Sequence, residues 1–282
     1  MTQDPHVSSV AVLLVIDFGT GIATITLNRP KALSALNREL SCALQDVVDQ
    51  VERDARVRAV VIQGAGNHFM AGGDIKRLHS SLQMSESERR IFFERFIGEV
   101  HGMVTRLRCM EKPVLASVRG AVAGLGLSLM NSCDFAIAAD DAYFILVYRN
   151  IGASPDGGET YGLPRIVGTK RAMEIALLGD RFDAQRAFVQ GLVNQVVPAA
   201  ALVDTTRSML LRLATGPTRA LGRTKRLIND SLGQRLSNQL LVKQDAPPTR
   251  TSHGSCRRFL TNAILLSSGS TSRVVACCAE ND

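Results

Sequence analysis

Lys112-Pro113-Val114-Leu115-Ala116-Ser117-Val118-Arg119-Gly120-Ala121-Val122-Ala123-Gly124-Leu125-Gly126-Leu127-Ser128 is the stretch whose reading decides the architecture. Pro113 stops the helical pattern before it, because proline lacks an N–H and clashes with a preceding helical turn. Val114 to Val118 is an apolar run of strand length. Glycines then stand at 120, 124 and 126, where the strand should give way to a helix. A strand feeding a glycine-rich helix start presents unpaired N–H groups and the positive end of the helix dipole to an anion or a polarised carbonyl. The spacing does not fit G-x-G-x-x-G, so a dinucleotide role has little support. Close packing of a helix over its glycines is the other use for the same residues.

Upstream, Ile91, Phe92, Phe96, Ile97, Val100, Met103, Val104 and Leu107 recur at helical spacing, as do Leu36, Leu40, Ala43, Leu44, Val47, Val48 and Val51. Between these patterns lies the β-branched run Val60-Val61-Ile62. Two earlier strands, Val10 to Ile16 and Ile22 to Leu27, are split by a turn at Asp17-Phe18-Gly19-Thr20-Gly21. Downstream, Phe135 to Ala139 reads as another strand, and strands alternate with helices up to about Val197. Such alternation predicts an α/β architecture. From Ala199 to about Val242 the pattern is helical throughout. Ala246-Pro247-Pro248 then breaks it, and Ser, Thr, Arg and Cys dominate the end. The expected organisation is a core over 1–197, a helical region over 198–244 and a divergent, poorly ordered tail over 245–282, read as an altered reading frame or a divergent end.

The chain has 282 residues, 45% hydrophobic and 21% charged, an ordinary globular composition. No apolar run approaches the roughly 20 residues of a membrane-spanning helix. The first cationic side chain is Arg29, with Asp4 upstream, so neither a secretory n-region nor an Arg-rich transit peptide is apparent and the cytoplasm is the expected location. Six cysteines show no zinc or disulfide spacing. A net charge of +7, spread along the chain, suits anionic ligands in general. With no Trp, three Tyr and no nucleic-acid motif, DNA or RNA is a poor partner.

Two further segments carry candidate chemistry. Phe69-Met70-Ala71-Gly72-Gly73-Asp74-Ile75 is a small-residue turn after a buried strand, able to bring a backbone N–H to a developing oxyanion. It is equally a plain turn with Asp74 as a helix cap. Ile151-Gly152-Ala153-Ser154-Pro155-Asp156-Gly157-Gly158-Glu159-Thr160 leads into a helix, and Asp156 and Glu159 have the D-x-x-E spacing of a capping box. The functional alternative is a carboxylate in an apolar pocket, whose raised pKa lets it exchange a proton with carbon near neutral pH.

Together these segments resemble the crotonase (enoyl-CoA hydratase/isomerase) superfamily, from about Ile22 to Val203. Leu27 to Leu36 is similar to the family's first CoA-contacting segment, with Ser34 where Asn is commoner. His68 to Lys76 resembles its A-G-x-D-[IL] turn, and Lys112 to Gly120 its K-P-V-x-A-x-x-x-G strand; Cys133-Asp134 and Gly191-Leu192-Val193 also fit. The resemblance implies a spiral of repeated ββα units followed by a helical trimerisation region, in a homotrimer or hexamer. It implies an oxyanion hole from the N–H groups of Gly73 and Leu125. Lys31, Ala32, Leu33, Ala71, Asp74, Ile75 and Lys76 would line the CoA site, with Tyr148 near the acyl group. CoA belongs to the substrate, and no metal or redox cofactor is implied.

Hydratases of this family carry one Glu where this chain has Ser128 and a second where it has Tyr148. Adding water across a C=C bond calls for one group to activate the water and another to manage the proton at Cα, which places hydratase activity below isomerase activity here. Asp156 falls where the isomerase branches place an acid, within an S-P-[DE]-G-G-like segment. One carboxylate suffices to move a proton from C2 to C4 of a 3-enoyl-CoA, with Glu159 a weaker second candidate. Two alternatives stand beside an isomerase and a hydratase. One is an aromatic acyl-CoA dehalogenase, for which Asp156, His101 and Tyr148 are the matching residue types. The other is a crotonase-fold protein that binds without catalysis.

Overall fold

A computed structural model of the chain describes residues 11–244. The expected tail over 245–282 and Val10, where the sequence begins its first strand, lie outside these residues. Strands β1 (Val12–Asp17) and β2 (Ile22–Leu27) form an antiparallel hairpin, closed by Gly21 N–H to Asp17 O at 2.7 Å. Helix α1 (Arg38–Arg53) follows, and Asn37 caps it by accepting from Leu40 N–H at 2.9 Å. Periodicity starts this helix at Leu36. The Asn37 cap excludes Leu36, which instead pairs with Gly73.

Strand β3 (Ala59–Gly64), helix α2 (Ile75–Ser81) and helix α3 (Glu86–Cys109) come next. Helix α3 begins a turn before its apolar periodicity does, because Ser85 and Glu88 form a reciprocal capping box that needs no apolar residue. The deciding stretch supplies β4 (Val114–Val118), β5 (Ala121–Ala123) and helix α4 (Leu125–Ser132). The unit repeats as β6 (Phe135–Ala139), β7 (Tyr143–Ile145), a 3₁₀ turn over Val147–Ile151 and helix α5 (Glu159–Val167). Helix α6 (Thr169–Met173), β8 (Phe182–Asp183), α7 (Ala184–Val189) and β9 (Gln195–Val197) complete the alternation, and α8 (Leu202–Thr215) and α9 (Thr218–Ser231) follow. One compact unit runs to Leu232; helix α10 (Leu236–Gln244) belongs to a second that begins at Gly233.

The first strands of successive units join a six-stranded sheet in the order β1-β2-β3-β4-β6-β9, parallel from β2 onward. The second strands stack in a separate layer: β5 pairs with β7 and β7 with β8, while Met70 bridges Val122. This is the repeated strand–strand–helix spiral expected from the sequence. Alternate residues of the large sheet serve two cores. Val60, Ile62, Val114, Ala116, Ala136 and Ala138 face the main core with α1, α3 and α4. Ala59, Val61, Leu115, Ile137 and Ala139 face Leu202, Leu210 and Ala214 of α8. Burial on both faces is why β3, β4 and β6 read as continuous apolar runs. Among the described residues no helix is long and apolar enough to cross a membrane.

Helix α4 lies against the turn before α2 so closely that a Cβ on Gly126 would stand 2.4 Å from the Met70 carbonyl oxygen. Gly126→Ala forces backbone apart and is expected to cost about 1–3 kcal/mol. The loss should appear as a lower urea midpoint at unchanged m; a wild-type midpoint would show that the approach is not tight.

Candidate active site

The chain from Pro30 to Leu36 is stitched to the turn at 71–74. Pro30–Ala32 form a 3₁₀ turn, after which Leu33 and Ser34 take left-handed backbone angles (φ 51° and 52°). Two such non-glycine residues in succession are costly, and the buried Ser34 hydroxyl offsets part of this by donating to Leu27 O at 2.9 Å. Ala71 N–H donates to Leu33 O, Leu36 N–H to Gly72 O and Asp74 N–H to Leu36 O, at 3.0, 2.7 and 3.0 Å. Asp74 caps α2 through Lys76 N–H at 3.1 Å and pairs with Arg29 at 3.0 Å. These bonds gather Lys31, Ala32, Leu33, Ala71, Asp74, Ile75 and Lys76 into one patch. Lys31 and Lys76 are exposed there, and so is Ile75, unusually for an isoleucine, at 74%.

In the bridge between Leu36 and Gly73, Leu36 bonds only to the residues flanking Gly73. The Gly73 N–H therefore points away from it. Leu125 is the first residue of α4, and its N–H is one of the donors a helix start leaves unpaired. Among the described residues, neither N–H donates to a backbone carbonyl. The two turns touch through glycines. A Cβ on Gly72 (φ +90°) would lie 3.1 Å from Ala123 O and 3.6 Å from Leu125 N. One on Gly124 (φ +50°) would lie 3.7 Å from Gly72 Cα and 3.9 Å from Tyr148 Cε2.

Tyr148 links these turns to the carboxylates. Its buried hydroxyl donates to Asp156 Oδ1, and Ser128 Oγ donates to the Asp156 carbonyl at 3.1 Å. Asp156 does not cap α5: the cap position is Gly158, with no side-chain bond. Burial raises the Asp156 pKa, while the Tyr148 hydrogen bond and the charge of His101 pull it partly back. Burial, then the neighbouring Asp156 charge, raise Tyr148 above the usual phenol range. Glu159 also fails to complete a capping box. It is 1% exposed and accepts from Asn131 Nδ2 at 2.9 Å. Burial pushes its pKa up to about 7, against smaller lowering by hydrogen bonds from Asn131 and Ser128. Among the described residues no group of three or more His, Cys, Asp and Glu is placed to hold a metal ion.

The family model for enoyl-CoA hydratase/isomerase matches residues 17–260. The chain belongs to this family. The match runs past Asp245, where the sequence by itself reads as leaving the family pattern. The 1,2-epoxyphenylacetyl-CoA isomerase of Escherichia coli K12 is 37% identical over 80% of this chain and 85% of its own length. A 4-chlorobenzoyl coenzyme A dehalogenase of an Arthrobacter species is 30% identical over 84% and 82%. The crystal structure of an enoyl-CoA hydratase from Polaromonas sp. JS666 superposes with a TM-score of 0.77 at 33% identity, covering 83% of this chain and 89% of that one.

Within this crotonase fold the glycine turns and Asp156 singled out in the sequence are linked through Tyr148, and Glu159 is more deeply buried than its spacing suggests. The D-x-x-E spacing pointed to a cap. The better signal was the pair of glycines between the two acids, which lets the chain turn Glu159 inward against α4.

A buried acid with a raised pKa makes the fold pH-sensitive. The native state holds the Glu159 proton up to about pH 7, whereas an ordinary Glu releases it near 4.5. Its contribution is therefore complete below the lower value and lost as pH rises to the higher, a total of about 3 kcal/mol. The stability difference between wild type and Glu159→Gln should slope across that window and level off above it. Urea midpoints showing parallel pH profiles would contradict the assignment.

Proposed function

We propose that this crotonase-family chain is an acyl-CoA isomerase that moves a C=C bond by proton transfer, with Asp156 as the acid/base. One observation carries the choice of reaction: both positions where hydratases place glutamates hold hydroxyls, and both hydroxyls are bonded to Asp156, Tyr148 to its carboxylate and Ser128 to its carbonyl. Neither is free to activate a water. Asp156 is left as a carboxylate with a raised pKa, and the residue after it, Gly157, packs against the Leu125 side chain.

Under this proposal the thioester oxygen accepts from the N–H groups of Gly73 and Leu125. Asp156 removes a proton from C2 of a 3-enoyl-CoA, the negative charge spreads as a dienolate onto the thioester oxygen, and the same carboxyl returns the proton to C4. The product is the 2-enoyl-CoA. The Tyr148 hydroxyl fixes one carboxylate oxygen and leaves the other for the proton. Lys31, Ala32, Leu33, Ala71, Asp74, Ile75 and Lys76 take the CoA portion, the two lysines supporting its phosphates. The expected trimer or hexamer belongs to the same proposal, and the exposed Val203, Ile228 and Leu232 on and beside α8 and α9 suit it.

A dehalogenase has one specific observation in its favour, the electrostatic reach of His101 to Asp156. Attack on a ring carbon, however, needs a strongly nucleophilic carboxylate oxygen, and the Tyr148 hydroxyl donated to Oδ1 weakens that nucleophile while still leaving a base for proton transfer. Incubation with 3-enoyl-, 2-enoyl- and 4-halobenzoyl-CoA separates the reactions by chromatography. Double-bond migration in the 3-enoyl substrate is expected, falling about 10²–10⁴-fold in Asp156→Asn. Hydration of 2-enoyl-CoA by both proteins, or halide release lost in the variant, would replace the isomerase with a hydratase or a dehalogenase.

The backbone donor can be tested separately. Proline is tolerated at the first position of a helix, so Leu125→Pro removes the N–H with little change in helix geometry. A kcat loss of about 10²–10³-fold is expected. Unchanged turnover in a folded variant would rule Leu125 out as an oxyanion donor.

A further inference from the structure

Tyr148 reaches Asp156 from a five-residue 3₁₀ turn, Val147–Ile151. Such turns are short and make poorer hydrogen bonds than an α-helix, so the place of Tyr148 depends on what holds the turn. Its own bonds are few: Gly152 N–H donates to Arg149 O at 3.2 Å and Ala153 N–H to Tyr148 O at 3.0 Å. The strand before it is fixed, because Gly124 N–H donates to Ile145 O at 2.9 Å beside the start of α4. On the outer side one side chain does the holding. Arg149 Nη1 donates to Leu177 O at 3.1 Å and to Leu178 O at 2.7 Å.

Leu177 and Leu178 end a π-helix, Glu174–Leu178, which continues directly from α6. Single π turns inside helices are rare and concentrate at functional sites. The last carbonyls of a helix lack partners within it, and a cation there also meets the negative end of the helix dipole. The chain then turns at Gly179 with a left-handed backbone (φ 66°). A Cβ there would stand 3.1 and 3.3 Å from Arg149 Cδ and Cγ, and 3.4 Å from Leu146 O. The glycine thus leaves room for the arginine stem, and Arg149, although exposed to solvent, is bonded at its tip and enclosed along one side.

Two neighbours in the turn point opposite ways: Tyr148 is 8% exposed and donates inward to Asp156 Oδ1, while Arg149 lies outside. In so short a turn, a backbone rotation that lifts one residue also swings the other. The remaining groups that face Asp156 come from other elements. Ser128 on α4 bonds its carbonyl, His101 on α3 acts through its charge, and Glu159 follows after two glycines. Substituting Arg149 alters none of these groups directly.

We propose that Arg149 is a positioning residue: by clamping the 147–151 turn to the end of the π-helix it keeps the Tyr148 hydroxyl on Asp156 Oδ1, so that Oδ2 stays free to carry the proton. The role is exerted through Tyr148 and involves no contact between Arg149 and substrate. The effect on turnover rests on the acyl-CoA isomerase reading, whereas the effect on the phenol rests only on the bond between Tyr148 and Asp156.

Arg149→Met keeps an apolar stem and removes the donors, and Tyr148→Phe serves as the reference. With no Trp and three Tyr in the chain, phenol ionisation can be followed by ultraviolet difference absorbance. Burial, then the Asp156 charge, hold Tyr148 above the usual phenol range, so wild type should show a late-titrating phenol that Tyr148→Phe lacks. In Arg149→Met it should return toward the usual value of about 10. The Tyr148 hydrogen bond also pulls the Asp156 pKa down. Its loss should move the acid limb of kcat/KM for 3-enoyl-CoA to higher pH, in Arg149→Met as in Tyr148→Phe, with kcat up to about 10²-fold lower and KM little changed. The double variant should do no worse than Tyr148→Phe, and Arg149→Lys should recover most of the loss. A late phenol and a wild-type pH profile in folded Arg149→Met would overturn the clamp, as would additive losses in the double variant. Should Arg149→Met not fold, Gly179→Ala, whose Cβ presses on the same stem, is expected to shift both readouts the same way, and an unshifted phenol would overturn the proposal. An earlier phenol in Arg149→Met, with no 3-enoyl turnover in wild type, would uphold the clamp and remove the isomerase.

Discussion

Everything at the site depends on two backbone turns meeting without side chains between them. Met70 exchanges hydrogen bonds with the residues flanking Val122, and Leu36 with those flanking Gly73. The second pairing leaves the Gly73 N–H pointing away from Leu36, and Leu125 opens α4 with an N–H that meets no backbone carbonyl among the described residues. The approach relies on glycine: a Cβ on Gly72 or Gly126 would press on the Ala123 or Met70 carbonyl oxygen, and one on Gly124 would press on the Val147 side chain and approach Gly72 Cα. Under the proposed reaction, N–H donors fixed in this way need no rearrangement when charge develops. The second, smaller strand layer is thus more than packing: through the Met70–Val122 bridge it holds the two turns together.

Helix α4 then organises the polar chemistry. All eight of its residues are buried, so each polar side chain on it must find a partner. Ser128 and Asn131 are three residues apart and share a face. One reaches the Asp156 carbonyl and the other the Glu159 carboxylate. A single short helix therefore contributes a backbone donor at its start and holds both acids of the following loop. Burial is also what raises both carboxyls, so the packing that positions them sets their proton affinity.

The fold was legible because its central strands are buried on both faces and helices such as α1 on one, which writes clear runs and periods into the sequence. Element edges were less clear wherever a polar group decides them, as Asn37 does for α1 and Ser85 with Glu88 for α3. The glycine turns were legible as such, since few backbone geometries call for that composition. What spacing cannot convey is direction. The same D-x-x-E pattern serves a cap or a pair of inward acids, and the left-handed angles of Gly157 and Gly158 decide between them. Ser34 was noted as a departure, but its left-handed conformation and its bond to Leu27 O follow from contacts made far along the chain.

Glu159 also gives a physical reason for the hydroxyl at 128. Ser128 lies within hydrogen-bonding reach of the Glu159 carboxyl, so a glutamate at 128 would put two carboxyls in one water-poor pocket. Two such groups cannot both ionise cheaply, and one would be held protonated. A hydratase needs its carboxylates in different protonation roles around a water; a pair locked together by repulsion cannot serve that purpose. The serine instead donates its proton to the Asp156 carbonyl, and Asn131 is the donor that favours the ionised form of Glu159. The glutamate at 159 and the absence of one at 128 are thus two sides of one arrangement, in which a single buried carboxyl is held by Asn131.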